Sequence, residues 1–246
     1  MPSKEVQHHI DHKKRDAKKV ERMFSNIAAR YDLLNHVLSL GLDSGWRKKV
    51  AIETGKINCN RILDVCTGTG DMAIELCKFW KGKAHIEAID FSRELIEIGK
   101  KKSKKSGLSE KITFREGNAE SLPYDNEHFD AITITFGLRN INNRLKALKE
   151  FYRVTRPGGC FVCLEFCQPT NPIFAKVYSF YLMKLVPFVS KIIGSDPAAY
   201  QYLGKTIKDF PSPLELINLI ASAKWEDVSY QKLAGGVVAI HQGIKK

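Results

Sequence analysis

Between residues 61 and 166 short apolar runs alternate with helical patterns, and that alternation is what most limits the fold. "RILDV", "AHIEAID", "KITFREG", "FDAITITF" and "GCFVCLEF" read as strands, while the intervals at about 71–80, 92–105 and 143–155 read as helices. Such alternation builds crossover units on a mostly parallel sheet. The runs at 61–65 and 129–136 are nearly continuous in apolar or β-branched residues, as central strands covered on both faces should be. Toward the end the pattern changes. "PSPLELINLIASAKW" reads as an amphipathic helix opened by prolines, and "EDVSYQKLAGGVVAIHQG" as two strands meeting near Gly235 and Gly236. A closing strand pair after such a series puts one antiparallel strand in the sheet. The expectation is a doubly wound α/β fold in a single domain at 21–246, behind a flexible basic arm at 1–20.

The first crossover carries the sharpest local signal. In "RILDVCTGTGDMAIEL" the residues Gly68, Gly70 and Ala73 stand at the spacing G-x-G-x-x-A, where glycine lets the backbone turn sharply and approach a ligand. Alone, this spacing suits any nucleotide. Its neighbours discriminate: Asp64 closes the strand and Asp71 opens the helix, so two carboxylates flank the loop. A pyrophosphate there would meet two anions, each contact costing roughly 1–4 kcal/mol at about 4 Å. A ligand with a sulfonium and an ammonium, such as S-adenosylmethionine, reverses the sign. Asp90 ends the second strand about 20 residues on, where a carboxylate can accept hydrogen bonds from both ribose hydroxyls; otherwise it is a turn residue before the helix near Ser92. Asn118 and Ala119, in "EGNAESLP" after the third strand, can present polar atoms to an adenine edge, or simply make a turn.

Charge and cysteines narrow the class further. Against 27 acidic residues there are 39 Lys+Arg, a formal +12 that by itself suggests an anionic partner. The run Lys100 to Lys105 ends a helix that should run away from the ligand edge, so its expected roles are helix-end electrostatics and solubility. The six cysteines sit in apolar segments, which points to reduced thiols in a cytoplasmic protein. Cys160 and Cys163, three apart on a strand, face opposite sides and cannot share a metal. The pair His8 and His12 lacks a third ligand, so no metal site is expected. No apolar signal region opens the chain, and no run reaches the ~18 apolar residues of a membrane span.

With those residues in place, "ILDVCTGTGD", "AID", "GNAESLP", "FDAITITFGLRN" and "RVTRPGGCFVCLEF" follow the order and spacing of a class I methyltransferase. More narrowly, the chain resembles the quinone-biosynthesis C-methyltransferases that methylate demethylmenaquinol or a polyprenyl-benzoquinol. The likeness spans about residues 20–244, and "FGLRN" and "YDLLNHVLSLGLDSGW" are far more specific than the glycine loop. Tyr31, Asp32, Asn35, Ser39 and Trp46 match the family's first signature, whereas Leu34 stands for its methionine and Asp43 for its histidine. In the second signature Arg156 stands for lysine and Cys167 for serine. The resemblance implies a Rossmann-like sheet of seven strands with the last antiparallel. It also implies S-adenosylmethionine contacts at Thr69, Asp90, Asn118 and Ala119, with Thr135 lining the same site.

Methylating a ring carbon requires a hydroquinol to lose a hydroxyl proton, so that negative charge reaches the adjacent carbon. The protein must align the groups, assist deprotonation and stabilise the phenolate. Arg139 and Asn140 follow "FDAITITF" at its carboxyl end, where a guanidinium can face the phenolate or else tether the loop through backbone carbonyls. Tyr31, Asp32 and His36 belong to a helical cap at 21–56 that can close over the substrate, and His36 suits a base. Glu165 ends the next strand and is a further candidate, with helix capping as its other reading. A helical lid at 170–205 offers room for an isoprenoid tail. Within it "IFAKVYSFYLMKLVPFVSKIIG" is aromatic-rich, and Lys176, Lys184 and Lys191 share a helix face that can rest peripherally on the inner face of a membrane; packing on the core is the plainer alternative.

The expected reaction is conversion of demethylmenaquinol to menaquinol, with 2-methoxy-6-polyprenyl-1,4-benzoquinol methylation in ubiquinone biosynthesis as the alternative. An RNA methyltransferase is a weaker reading of the +12, since "SDPAAY" does not match an amino-methylation motif, and nucleic acid is not an expected partner. Oligomeric state, a homo-oligomer included, is left open.

Overall fold

The computed structural model describes residue 36 and residues 39–169, 171–181 and 197–246. The basic arm, Tyr31, Asp32 and most of the cap, and Lys184 and Lys191 of the lid lie outside the described residues.

Helix α1 (Asp43–Thr54) precedes the alternating series β1 (Arg61–Val65), α2 (Asp71–Phe79), β2 (His85–Asp90), α3 (Arg93–Lys105), β3 (Ile112–Glu116) and β4 (Phe129–Thr135). A 3-10 turn at Leu138–Asn140 leads to α4 (Arg144–Val154) and β5 (Thr155–Phe166). Then come α5 (Pro172–Phe180), α6 (Pro197–Lys208), α7 (Pro213–Ser222), β6 (Glu226–Leu233) and β7 (Val238–Ile244). The sheet has seven strands in the order β3-β2-β1-β4-β5-β7-β6, and β7 alone runs against its neighbours. Strand order reverses between β1 and β4, and in such sheets the ligand crevice opens at the carboxyl ends of the strands beside that reversal.

Period-two alternation divides the sheet into two cores. Ile62, Ile86, Ala131, Cys160 and Val162 pack on one face, and Leu63, Ile89, Ile132, Phe161 and Cys163 on the other. Cys160 and Cys163 therefore lie on opposite faces, as their spacing requires, and all six cysteines are free thiols. Each fully buried Ile, Leu or Phe contributes roughly 1.5–3 kcal/mol. Helix starts follow from local residues: Ser92 caps α3 by accepting from Leu95 N, and Ser212 with Glu215 forms a capping box at α7 behind Pro213. β5 begins four residues earlier than the apolar run alone suggests. Thr155 pairs with Phe129 across a register shift, and the chain passes through Gly159, where any Cβ would lie 2.7 Å from Asp130 O.

Candidate active site

The loop after β1 is folded by its own backbone. Cys66, Gly68 and Gly70 have φ of 55°, 57° and 80°, and Gly70 N donates to Thr67 O at 2.9 Å. Gly68 N donates to Asp90 Oδ2 at 2.8 Å, so the end of β2 is tied to the tip of the loop. Asp90 Oδ1 accepts from Ser92 N at 2.9 Å. Each carboxylate oxygen has a second lone pair, so Asp90 keeps capacity for a sugar diol. Burial raises the Asp90 carboxyl to about 6, against the lowering effect of the backbone N–H groups of Ser92, Gly68 and Phe91.

Asp64 is buried beneath the loop. Thr67 Oγ1 donates to its Oδ2 at 2.6 Å and Thr133 Oγ1 to its Oδ1 at 2.7 Å. Burial raises this carboxyl to about 7, although those two hydroxyls pull it down. Asp64 thus braces the loop from below, through Thr67, rather than forming an open rim.

Asp71 departs further from expectation. It pairs with Lys102, whose ammonium also reaches Thr69 Oγ1 at 3.2 Å, and Arg47 Nη2 stands 3.4 Å from its other oxygen. The lysine run was expected far from the crevice, and Lys102 is not. The cause is a close crossing: a Cβ built at Gly70 would lie 3.6 Å from Gly99 Cα, so α3 passes over the loop at two glycines, and Lys102 reaches back from less than one turn further on. The charge of Asp71 is balanced by two cations, so the acid character of the crevice rests on Asp90.

The other wall comes from β4 and β5. Phe136, with φ of 58°, stacks on Phe166 at 4.5 Å between ring centroids, and Trp46 of α1 meets its edge at 6.2 Å. A cleft between the loop and this wall is lined by Cys66, Gly68, Asp90, Phe91, Phe136, Gly137 and Asn140. Gly137 is required there, since a Cβ would lie 2.4 Å from Cys66 Cβ. Thr135 Oγ1 is buried and has no hydrogen-bond partner among the described residues. Arg139 Nη1 donates to Glu165 Oε1 at 2.7 Å and also to Phe136 O, and its guanidinium lies over the Phe166 ring at 5.4 Å. Asn140 Oδ1 accepts from Tyr202 OH of α6 at 3.2 Å. Asn118 is exposed, and its Oδ1 accepts from Glu120 N at 2.8 Å; Ala119 is buried against Leu122 and its neighbours.

Just before α1, His36 Nδ1 lies 3.0 Å from Asp43 Oδ1, which also accepts from Ser39 Oγ at 2.9 Å, while Arg47 holds Oδ2. Burial would raise the Asp43 carboxyl, but Arg47, Ser39 and His36 together hold it below the ordinary aspartate value. Sequence alone does not single out Arg47 or Tyr202, and it names Lys102 only within a run placed away from the ligand edge. Arg47 is within reach of such a reading, at i+4 from Asp43 on a helix; Lys102 and Tyr202 meet the site only through the folded chain.

Known proteins share this chain's sequence pattern and its fold. The model of the ubiE/COQ5 methyltransferase family matches residues 12–245. A "Ubiquinone/menaquinone biosynthesis C-methyltransferase UbiE" from Francisella philomiragia is 38% identical over 228 residues, covering 93% of this chain and 91% of that protein. One of the same name from Geobacter sp. (strain M21) is 40% identical over 227 residues, covering 92% and 96%. Among solved structures, the [4+2]-cyclase SpnF superposes with a TM-score of 0.69 at 16% identity, covering 94% of this chain and 97% of its own. A methyltransferase from Thermotoga maritima, described as a possible histamine N-methyltransferase, gives 0.61 at 19% identity, covering 92% and 99%. At such identities the structures speak for the class I methyltransferase fold alone, whereas the sequence matches span nearly the whole chain. The chain belongs to the ubiE/COQ5 methyltransferase family.

Proposed function

We propose that this protein uses S-adenosylmethionine to methylate a ring carbon of demethylmenaquinol, producing menaquinol for menaquinone biosynthesis. The observation that carries the reading is the cleft at the β1/β4 reversal, which sets an acid-ended β2 opposite a stacked aromatic wall. Gly68, at φ of 57°, brings bare backbone to the cleft, Asp90 has lone pairs for ribose hydroxyls, and the Thr135 hydroxyl has a polar atom to offer. That donor set suits S-adenosylmethionine, which supplies a methyl group activated by positive sulfur. Thr69, Asn118 and Ala119 complete the proposed cofactor contacts.

The chain's own groups then have definite tasks. The stacked Phe136 and Phe166 rings give the quinol ring an aromatic wall to rest against. In this reading the Arg139 guanidinium, held by Glu165 next to the cleft residue Asn140, stabilises the charge that develops on the quinol oxygen. His36, with Tyr31 from the same segment, takes the hydroxyl proton. Ile173, Val177 and Phe180 of α5 are 60–76% exposed, an apolar surface suited to the isoprenoid tail or to peripheral contact with a membrane; no helix among the described residues is long and apolar enough to cross one.

The test is quinone mass spectrometry on cells lacking and then regaining this protein. Accumulation of a naphthoquinone short of one methyl group, relieved on restoration, is the expected result. A benzoquinone lacking one methyl would assign the ubiquinone branch instead, and unchanged quinones would overturn the reading.

A further inference from the structure

We infer that Asp43, one of the chain's departures from its family's signature, is a positioning residue that fixes the tautomer of His36 and aims its Nε2 outward as the proton acceptor. This deepens the quinol-methylation reading and rests on it. The Asp43 carboxylate is acceptor-only when ionised, and Arg47 and Ser39 keep it so. The imidazole nitrogen 3.0 Å from it, Nδ1, must therefore carry the hydrogen. In the neutral ring Nε2 is then the bare acceptor. The His36 side chain is 60% exposed while Asp43 is 3% exposed, so the orienting group is fixed in the protein and the acting group is accessible.

The same helix ties this pair to the cleft. Trp46 and Arg47 stand three and four residues after Asp43, hence on its face of α1. Trp46 packs on Phe136, a wall of the cleft, and Arg47 spans from Asp43 to Asp71 at the start of α2. Asp43 is thereby tied through α1 to the cleft residue Phe136 and through Arg47 to the start of α2, and its direction sets where the imidazole points. In the step it serves, the quinol O–H bond breaks, its proton goes to His36 Nε2, and the electron pair stays on oxygen and spreads into the ring. His36 becomes an imidazolium with both nitrogens protonated, and the Asp43 carboxylate lies against its Nδ1–H.

Two measurements test this. Two-bond proton–nitrogen NMR of the full chain, with the His36 signal assigned by His36→Gln, should show neutral His36 in the Nδ1–H form, and Asp43→Asn should shift it toward Nε2–H. An Nε2–H ring in the native protein would overturn the proposal whether or not any quinol is methylated. In the methylation assay Asp43→Asn should lower kcat at least 10-fold, a share of the 10²–10⁴ that a positioned base provides, with quinol KM and cofactor Kd within about twofold. In a His36→Gln background Asp43→Asn should cost nothing more. Additive losses, or Arg47→Gln reproducing the Asp43→Asn loss, would make Asp43 a mere support for Arg47 and overturn the proposal. A fully active His36→Gln would instead remove His36 from the proposed function, and Asp43's role with it; a native Nδ1–H tautomer without quinol turnover would fault the substrate alone.

Discussion

Arg139 and Glu165 form a buried ion pair at the carboxyl ends of β4 and β5: Nη1 donates to Oε1 at 2.7 Å, and the Arg139 backbone N–H donates to Oε2 at 3.1 Å. Their side chains are 7% and 1% exposed. The guanidinium is therefore fixed by a carboxylate as well as by the Phe136 carbonyl, so Arg139 tethers the loop after β4. Removing one member leaves a buried charge uncompensated. Glu165→Ala should cost about 3–5 kcal/mol of stability, while Arg139→Met with Glu165→Leu together should recover most of it. Denaturant unfolding reads both, and a double variant as unstable as the sum of the singles would contradict the pairing.

The two carboxyls under the glycine loop set a pH dependence. Asp64 and Asp90 titrate near 7 and 6 in the folded chain, against 3.8 ordinarily. A raised folded value means that the folded state holds protons which the unfolded state releases, so this contribution to stability is full below about pH 4 and is lost as pH rises toward 7. His241, lowered by burial to about 4, acts oppositely: its contribution is present above about 6.5 and is lost as pH falls through about 4. Comparison with a variant separates the two. Asp64→Asn should flatten the fall of Tm between about pH 4 and 7. An unchanged slope would contradict the burial of a titrating Asp64.

Two glycines should respond in opposite ways to alanine. Gly137→Ala drives a Cβ to 2.4 Å from Cys66 Cβ and should weaken S-adenosylhomocysteine binding at least several-fold by displacing the cleft wall. Gly45, inside α1 with nothing within 4 Å of a new Cβ, should gain about 0.5–1 kcal/mol on the same change. Calorimetric titration and thermal unfolding report the two effects. Unimpaired binding by Gly137→Ala would show that the wall does not touch the cofactor.

The exposed apolar side of α5 predicts surface binding. The wild type should co-sediment with vesicles rich in anionic lipid, and a variant carrying Glu at Lys176, Lys184 and Lys191 should bind several-fold less. Equal sedimentation of both proteins would remove the membrane contact.

Much of this architecture was legible in the residues because strand and helix periods differ and the strands are short and apolar. The glycine loop, Asp90 and the β7 reversal needed only local signals. What escaped was tertiary. Lys102 was placed by helix direction alone, which says nothing of two helices crossing at Gly70 and Gly99. His36 and Asp43 stand seven apart, and a straight helix would separate them by two turns. Leu40 and Gly41, with φ of 53° and 77°, fold the chain back instead and bring the pair together. Asp64 and Asp71 looked alike as acids beside a loop, and only burial of the first and pairing of the second distinguish them.

The most direct test of the account is a reaction of purified protein with methyl-labelled S-adenosylmethionine and a short-chain demethylmenaquinol, followed by mass spectrometry of the product. The account predicts one labelled methyl on the ring carbon, lost when Asp90 is replaced by alanine. Label on a quinol oxygen, or none on the ring under reducing conditions, would contradict it.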